Sequence, residues 1–406
     1  MAPKSFSLSS HCRFIKGAKC SAVYNLSSGE VFSVNAKGMA SLLKAFNGES
    51  LEEDDLIFLT DMEKAGLLNN HENPIEDLKM PPRLFYAWLE LTDGCNCNCL
   101  HCYGAFGKPK KEELQKEMGL SEWKTTIDEI FDLGCRSLQF IGGEPMASPH
   151  FKELLSYAFE LGFERIDVFT NLTLVNDAIV TLLKKTKASV RFSIYGYDEE
   201  SHDAITQRKG SFKRLDEAIT KLQKEGIPLS PAVILMKENQ DHLPKIIDYL
   251  HSKNLPYNGF DTVRRVRHSA QESHCVSDPE INKKRLLLKP NFKTSLYHYS
   301  MSLKWNNCWF GKVCISSHGD ILPCIFARDL KMGNLLGDEH QSIREKLLEK
   351  WSFTKDDVEV CKDCEYRYVC EDCRPLAMGE CGSIKAKYPR CLYDPYTGIW
   401  KEMKSE

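Results

Sequence analysis

Cysteine is the residue that most restricts what this chain can become. None falls between residues 21 and 94, four crowd into 95–102, only Cys275 falls between 136 and 307, and nine fall between 308 and 391. A chain of 406 residues has room for two or three cores. Its 42% apolar and 27% charged residues are those of an ordinary globular protein. No run of residues is apolar enough to span a bilayer, and the opening MAPKSFSLSSHCRF lacks the apolar centre of a signal peptide. The sequence therefore points to the cytoplasm. Thiols stay reduced there, and close-set cysteines act as metal ligands or redox groups. A net charge of −3 gives no general attraction to nucleic acid or to an anionic membrane. The run Arg264, Arg265, Arg267 is a small exception, read as a solvated loop or helix start, with contact to an acidic peptide as the minority alternative.

Three regions follow from the cysteine spacing. Residues 1–80 read as a small α+β unit. Ser21–Leu26 and Val31–Val34 flank a turn at Ser27–Glu30, and Met39, Leu42, Leu43 and Phe46 form one helical stripe. Ser50 with Glu53 makes a capping-box pattern that opens a further helix, Gly66 suits the position just past the end of another, and Leu67-Leu68 can return as a strand. Asn69–Pro82 reads as a linker. Residues 83–290 alternate strand and helix, with strand-like runs at Phe85–Thr92, Ser137–Ile141, Arg165–Thr170, Ser189–Tyr195, Leu229–Met236 and Asn258–Val266. That alternation predicts an α/β class with a parallel sheet and outer helices. Six units fit a partial (β/α)6 barrel of TIM type, with reactive groups at the C-terminal strand ends. Residues 300–406 show weak periodicity, a hairpin pattern at Val313–Ser316 and Ile321–Cys324, and a helix at Ser342–Trp351. So little apolar surface implies a cysteine-rich domain organised by metal.

The densest motif is Cys95-Asn-Cys-Asn-Cys99-Leu-His-Cys102, directly after the first of the six strands. Cys95, Cys99 and Cys102 have the spacing C-x3-C-x2-C. Three thiolates can hold three irons of a cubane and leave the fourth iron open for a ligand. Cys97 falls outside that spacing and reads as a bystander. The competing arrangement is zinc held by four of these residues, with or without His101.

The neighbouring residues carry a resemblance. Leu91-Thr92-Asp93-Gly94-Cys95-Asn96 with Cys99-Leu100-His101-Cys102-Tyr103 closely resembles the signature of the radical SAM superfamily. Membership implies a [4Fe–4S] cluster whose open iron binds S-adenosylmethionine (SAM). One-electron cleavage there yields methionine and a hydrogen-abstracting 5′-deoxyadenosyl radical. Further matches follow in order. Gly142-Gly143-Glu144-Pro145 looks like the family's GGE motif, where close-approach glycines and a carboxylate for the SAM ammonium are expected. Asn171 and Ser193 sit where the family places ribose and carboxylate contacts. Arg208 matches the arginine that pairs with the SAM carboxylate. Tyr103 completes the expected cofactor contacts, and the resemblance spans about residues 85–270.

The tail resembles the SPASM extension of radical SAM peptide maturases. By that pattern Cys308, Cys314, Cys324 and Cys373 hold one auxiliary [4Fe–4S] cluster, and Cys361, Cys364, Cys370 and Cys391 hold a second. Only two residues separate Cys370 from Cys373, where the family has three, so the ligand role of Cys373 is the weaker assignment. Cys381 is left over but competes with Cys391. Two zinc-ribbon sites are the alternative. Cys12, Cys20, Cys135 and Cys275 read as isolated thiols.

Residues 1–80 resemble the PqqD-like recognition element of enzymes that modify ribosomal peptides: a hairpin, then three short helices, with a leader peptide added as a strand to the hairpin edge. A winged-helix DNA binder is the rival, but Glu52, Glu53, Asp54, Asp55, Asp61 and Glu63 would repel phosphate. The three regions together resemble a radical SAM/SPASM maturase of sactipeptide or ranthipeptide type. The resemblance implies a ribosomal precursor peptide as substrate, thioether crosslinking as product, and flavodoxin or ferredoxin as electron donor. Carbon–carbon or carbon–oxygen crosslinking and epimerisation are alternatives. Ile325 stands where sulfatase maturases carry an acidic residue, which counts against formylglycine formation. A small-molecule radical SAM enzyme and a zinc-stapled winged-helix regulator complete the alternatives.

Overall fold

The computed structural model describes residues 5–104, 106–107, 116–266, 273–278, 281, 292–337 and 343–401. Arg267 lies outside them. The six expected strands are present, as β4 (Tyr86–Glu90), β5 (Ser137–Ile141), β6 (Arg165–Thr170), β7 (Ser189–Ile194), β8 (Leu229–Leu235) and β9 (Phe260–Thr262). They lie in that order, all parallel. Helices α3 (Leu120–Asp132), α4 (Phe151–Leu161), α5 (Asp177–Lys185), α6 (Glu199–Thr206), α7 (Ser211–Lys224) and α8 (Leu243–Ser252) supply the crossovers. Alternation along each strand decides which side chains face the helices. Leu138 and Phe140, Val168, and Val190 and Phe192 are fully buried. They pack against stripes such as Phe151, Leu154, Leu155 and Ala158 of α4, where the rings of Phe140 and Phe151 meet edge to face at 6.2 Å. The intervening residues, among them Gln139, Phe169, Arg191 and Ser193, point to the other side.

The sheet is wider than the sequence suggests. Strand β10 (Lys312–Ile315) pairs in parallel with β4, Val313 opposite Ala87 and Cys314 opposite Trp88. With β11 (Asp320–Leu322) and β12 (Gly333–Asn334) it extends the sheet to nine strands in the order β12-β11-β10-β4-β5-β6-β7-β8-β9. The join is tight. Phe85 and Tyr86 both donate to the Gly311 carbonyl, at 2.6 and 3.0 Å. Gly311 has φ +73°, and a β-carbon there would sit 2.0 Å from the Phe85 ring, so only glycine fits.

Chain contacts therefore separate two units where the sequence suggests three consecutive regions. Pro82–Lys284 with Gly311–Lys350 form the strand-rich unit. Met1–Pro81, Arg285–Phe310 and Trp351–Glu406 form the other. In the latter, β1 (Cys12–Lys16), β2 (Ser21–Asn25) and β3 (Val31–Val34) make an antiparallel sheet. One face, with Val23 and Val34, packs on Leu42 of α1 (Ala36–Asn47) and on Leu59 and Met62 of α2 (Glu53–Lys64). The opposite face carries Ile15, Ala22 and Tyr24, which pack with Tyr299, Tyr366 and Tyr393. Tyr24 donates its hydroxyl to the Glu365 carbonyl at 2.8 Å, and Ser33 and Tyr366 share a hydroxyl hydrogen bond of 2.6 Å. The hairpin and the cysteine tail thus share one core. Their residues show opposite faces of one strand, which sequence alternation records without saying what covers each face.

Among the described residues two helices, not three, follow the hairpin. Glu52 caps α2 with Asp55 as its reciprocal partner, in place of the Ser50 and Glu53 pattern, and Gly66 (φ +74°) closes the same helix. No helix among the described residues is long and apolar enough to cross a membrane.

Candidate metal centre and strand-end cavity

Strand β4 ends at Glu90, and the loop that follows is fixed before it reaches the cysteines. Gly94 N donates to Thr92 Oγ1 at 2.9 Å, Glu144 N to the Gly94 carbonyl at 2.9 Å, and Gly143 N to the Thr92 carbonyl at 2.8 Å. A β-carbon on Gly142 or Gly143 would lie 2.6 Å from the Thr92 carbonyl oxygen or 2.5 Å from that of Gly94. The double glycine lets the loop after β5 lie against the cysteine loop, a requirement set by the protein's own backbone. Asn98 and Leu100 donate to the carbonyls of Thr206 and Ile205, tying the far side of the loop to the end of α6.

Cys95, Cys99 and Cys102 line one cavity of about 390 Å³, together with Tyr103, Gly142, Gly143, Asn171 and Ser193. The C-terminal ends of β5, β6 and β7 thus bring Gly142, Gly143, Asn171 and Ser193 to the cysteine loop that follows β4. Cys97 lines the cavity too and is buried, with its backbone N–H donating to Cys95 Sγ at 3.4 Å. It is nearer the other thiols than a bystander need be. Asn171 Nδ2 donates to Asn96 Oδ1 at 2.7 Å and faces Cys97 Sγ at 3.6 Å. Burial holds the His101 imidazole neutral, down at about 4.

Two expected contacts lie elsewhere. Glu144 is fully buried and does not line the cavity. Its Oε1 accepts from Thr170 Oγ1 at 2.7 Å and Met146 N at 3.1 Å, and its Oε2 from Asn171 N at 2.8 Å. Burial raises its pKa to about 7 against those bonds. Glu144 thus ties the end of β5 to the end of β6 and places Asn171. Arg208 gives Nη1 to the Asn96 carbonyl at 2.5 Å, so it braces the cysteine loop and does not line the cavity.

A further charged pair went unnoticed in the sequence. Glu90, fully buried, pairs with Arg328 and accepts from the Tyr103 hydroxyl at 3.2 Å. Tyr103 in turn meets Phe326 edge to face at 5.4 Å. The segment after Cys324 is thereby locked to the segment after Cys102. Only the unusual charge at the end of β4, in YAWLE, signals this in the sequence.

The tail cysteines divide between the units. Cys361, Cys364, Cys370 and Cys391 line a single small cavity of about 30 Å³, with Lys355, Arg367 and Lys387 also on its wall. Lys355 is buried and pairs with Asp372, which pairs also with Arg374. Four thiols beside three cations suit an anionic thiolate cluster, whose charge must be balanced where water is excluded. Cys314 is fully buried in the strand-rich unit, near Cys324, and burial raises its thiol pKa. Cys308 and Cys373 belong to the other unit. Among the described residues no three His, Cys, Asp or Glu side chains sit close enough to hold a single metal ion.

Comparison with known proteins matches this geometry. Residues 89–250 match the model of the Radical SAM superfamily. The chain is 30% identical over 276 residues to the antilisterial bacteriocin subtilosin biosynthesis protein AlbA of Bacillus subtilis, covering 64% of this chain and 60% of that protein. It is 28% identical over 347 residues to the AdoMet-dependent heme synthase of Methanosarcina barkeri, covering 77% of this chain and 97% of that one. The crystal structure of Streptococcus suis SuiB bound to precursor peptide SuiA shares the fold, with a TM-score of 0.55 at 15% identity over 95% of this chain and 98% of that one.

Proposed function

Residues 89–250 match the Radical SAM superfamily model, and from that match we propose that this chain is a radical SAM enzyme that matures a ribosomally made precursor peptide. The observation that carries the reading is the single cavity in which Cys95, Cys99 and Cys102 meet the strand-end residues Gly142, Gly143, Asn171 and Ser193. When bound, a [4Fe–4S] cluster and SAM supply a hydrogen-abstracting 5′-deoxyadenosyl radical at this place. The three cysteines hold the cluster. Asn171 and Ser193 offer hydrogen bonds to SAM, Tyr103 closes the wall beside the cluster, and the apolar remainder excludes water. Glu144 and Arg208 act through the loops they brace.

Cys361, Cys364, Cys370 and Cys391 hold an auxiliary cluster, which draws electrons from flavodoxin or ferredoxin or passes them on. The peptide's leader docks as an added strand on the edge of β3, which has no strand partner on its outer side among the described residues. The product is a thioether crosslink, in which the peptide loses two hydrogens. The kinship with a bacteriocin biosynthesis protein favours this over the small-molecule chemistry suggested by the heme synthase.

Two measurements test the proposal. Anaerobically reconstituted protein given SAM and dithionite should release 5′-deoxyadenosine, and the triple replacement of Cys95, Cys99 and Cys102 by Ala should release none. A short cysteine-containing peptide encoded beside this chain should lose the mass of two hydrogens per crosslink. Persistent 5′-deoxyadenosine from the triple variant ends the cluster assignment, and an unaltered peptide mass ends the maturase assignment.

A further inference from the structure

The strand-end cavity has a floor as well as a rim. Side chains two residues apart on a strand share a face, so Gln139 lies below Ile141 on β5 and Arg191 below Ser193 on β7, each about 6–7 Å deeper. Both line the same cavity as the cysteines. Neither is satisfied there. Gln139 is 4% exposed, and its buried Nε2 has no hydrogen-bond partner among the described residues. Among the described residues, Arg191 has its Nε buried without a hydrogen-bond partner and enters no ion pair. Leaving such donors unmade in a buried site is costly, and a guanidinium has donors only.

Nearby carboxylates do not answer this need. Asp261, on the cavity wall, is engaged by Arg264 at 2.6 Å. Asp167, fully buried, accepts from Arg165 at 2.9 Å, from Tyr86 Oη at 3.4 Å and from Ser189. Arg208 is occupied by the Asn96 carbonyl. The floor therefore carries one uncompensated positive charge and an idle amide, inside walls that include Trp88, Ile141, Phe169 and Ile234.

We infer that Arg191 and Gln139 form a carboxylate subsite for the substrate. The complement of this floor is an apolar stem ending in a planar anion, and a guanidinium fork matches a carboxylate with two parallel bonds. On the proposed peptide substrate, on which this assignment of source rests, the group is a glutamate or aspartate side chain. Its capture would hold the neighbouring backbone beneath the rim where hydrogen abstraction occurs, making Arg191 a specificity-determining residue.

The test uses the full chain, reconstituted and loaded with SAM but without reductant, in calorimetric titrations. N-acetyl-Gly-Glu-Gly-amide should bind at least about tenfold more tightly than its Gln counterpart, the scale of one charged hydrogen-bonded contact. Arg191→Met should erase that preference, Arg191→Lys should keep part of it, and Gln139→Leu should narrow it. SAM affinity, measured by equilibrium dialysis, should stay within about twofold in all three, less than one such contact. If Arg191→Met does not fold, the Lys and Leu variants decide the question. N-acetyl-triglycine with a free C-terminus binding better than the Glu peptide would move the source to a terminal carboxylate and support the subsite. Arg191-dependent binding of glutarate with no binding of any peptide would retain the subsite and overturn the peptide substrate. Equal binding of the Glu and Gln peptides, binding of no carboxylate probe, stronger binding of inorganic phosphate than of glutarate, or a parallel loss of SAM affinity in Arg191→Met would overturn the subsite.

Discussion

The two units of this chain are stabilised by different means. In the strand-rich unit, Val168, Val190, Phe192 and Leu154 are fully buried in an apolar interior between the sheet and its helices. In the other unit the tail from Trp351 has, among the described residues, one α-helix of eight residues, α9 (Arg374–Cys381), and its buried charged groups include Lys355, Asp372 and Arg374. The first unit has the apolar burial to fold as a scaffold. The second keeps its cysteine-bearing segments ordered only if something joins the four thiols, because buried charge by itself is a weak source of stability.

The largest effect should therefore come from breaking the cysteine site. Replacing Cys361, Cys364, Cys370 and Cys391 by Ala should remove hydrogen-exchange protection throughout 353–394, while the amides of β5 to β7 stay protected. Retained protection in the tail of the iron-free variant would show that the charged groups suffice, and the contrast between the units would disappear.

Next in size is the ionic triad. Asp372→Ala strands two buried cations and should cost about 3–5 kcal/mol in urea denaturation. Lys355→Met should cost less, since Asp372 keeps Arg374. In the strand-rich unit Leu154→Ala, at a fully buried site, should cost about 2–4 kcal/mol from lost transfer and cavity formation. That cost should be the same with and without iron. An iron-dependent cost would mean that the scaffold also relies on bound metal.

What was legible in the sequence follows the same division. Strands β5 and β6 sit where alternation places them, because burying one face against helices imprints period two on the residues themselves. The hairpin at β10 and β11 was legible as a hairpin, but its pairing with β4 was not. That partnership joins Val313 to Ala87, and no local pattern records a pairing across such a distance. The pairing of Glu90 with Arg328, residues 238 apart, escaped for the same reason. Strand β1 was missed because its burial, with two half-exposed residues in succession, does not alternate. At the site, the cysteine spacing picked out residues that the fold brings to one cavity, whereas the local duties of Glu144 and Arg208 depend on backbone groups that a motif does not show.

The smallest effect lies in the helices behind the hairpin. Asp55 accepts from Lys44 at 2.8 Å, Ser41 at 2.5 Å and the Glu52 backbone N–H at 3.0 Å. The lysine and these donors favour the ionised carboxylate and hold its pKa well below the usual carboxylate range. For an acid depressed in the folded state, the stabilisation is fully present above the unfolded value of about 3.9 and is lost as pH falls through the folded one. Thermal denaturation of the wild type should accordingly weaken below about pH 4. Asp55→Asn should lower stability at neutral pH and flatten that acid limb, because the amide cannot ionise and brings a donor to face Lys44. An unchanged acid limb in Asp55→Asn would show that α1 and α2 are held by Leu42, Leu59 and Met62 alone. This corner of the second unit would then resemble the strand-rich unit in being held by apolar packing.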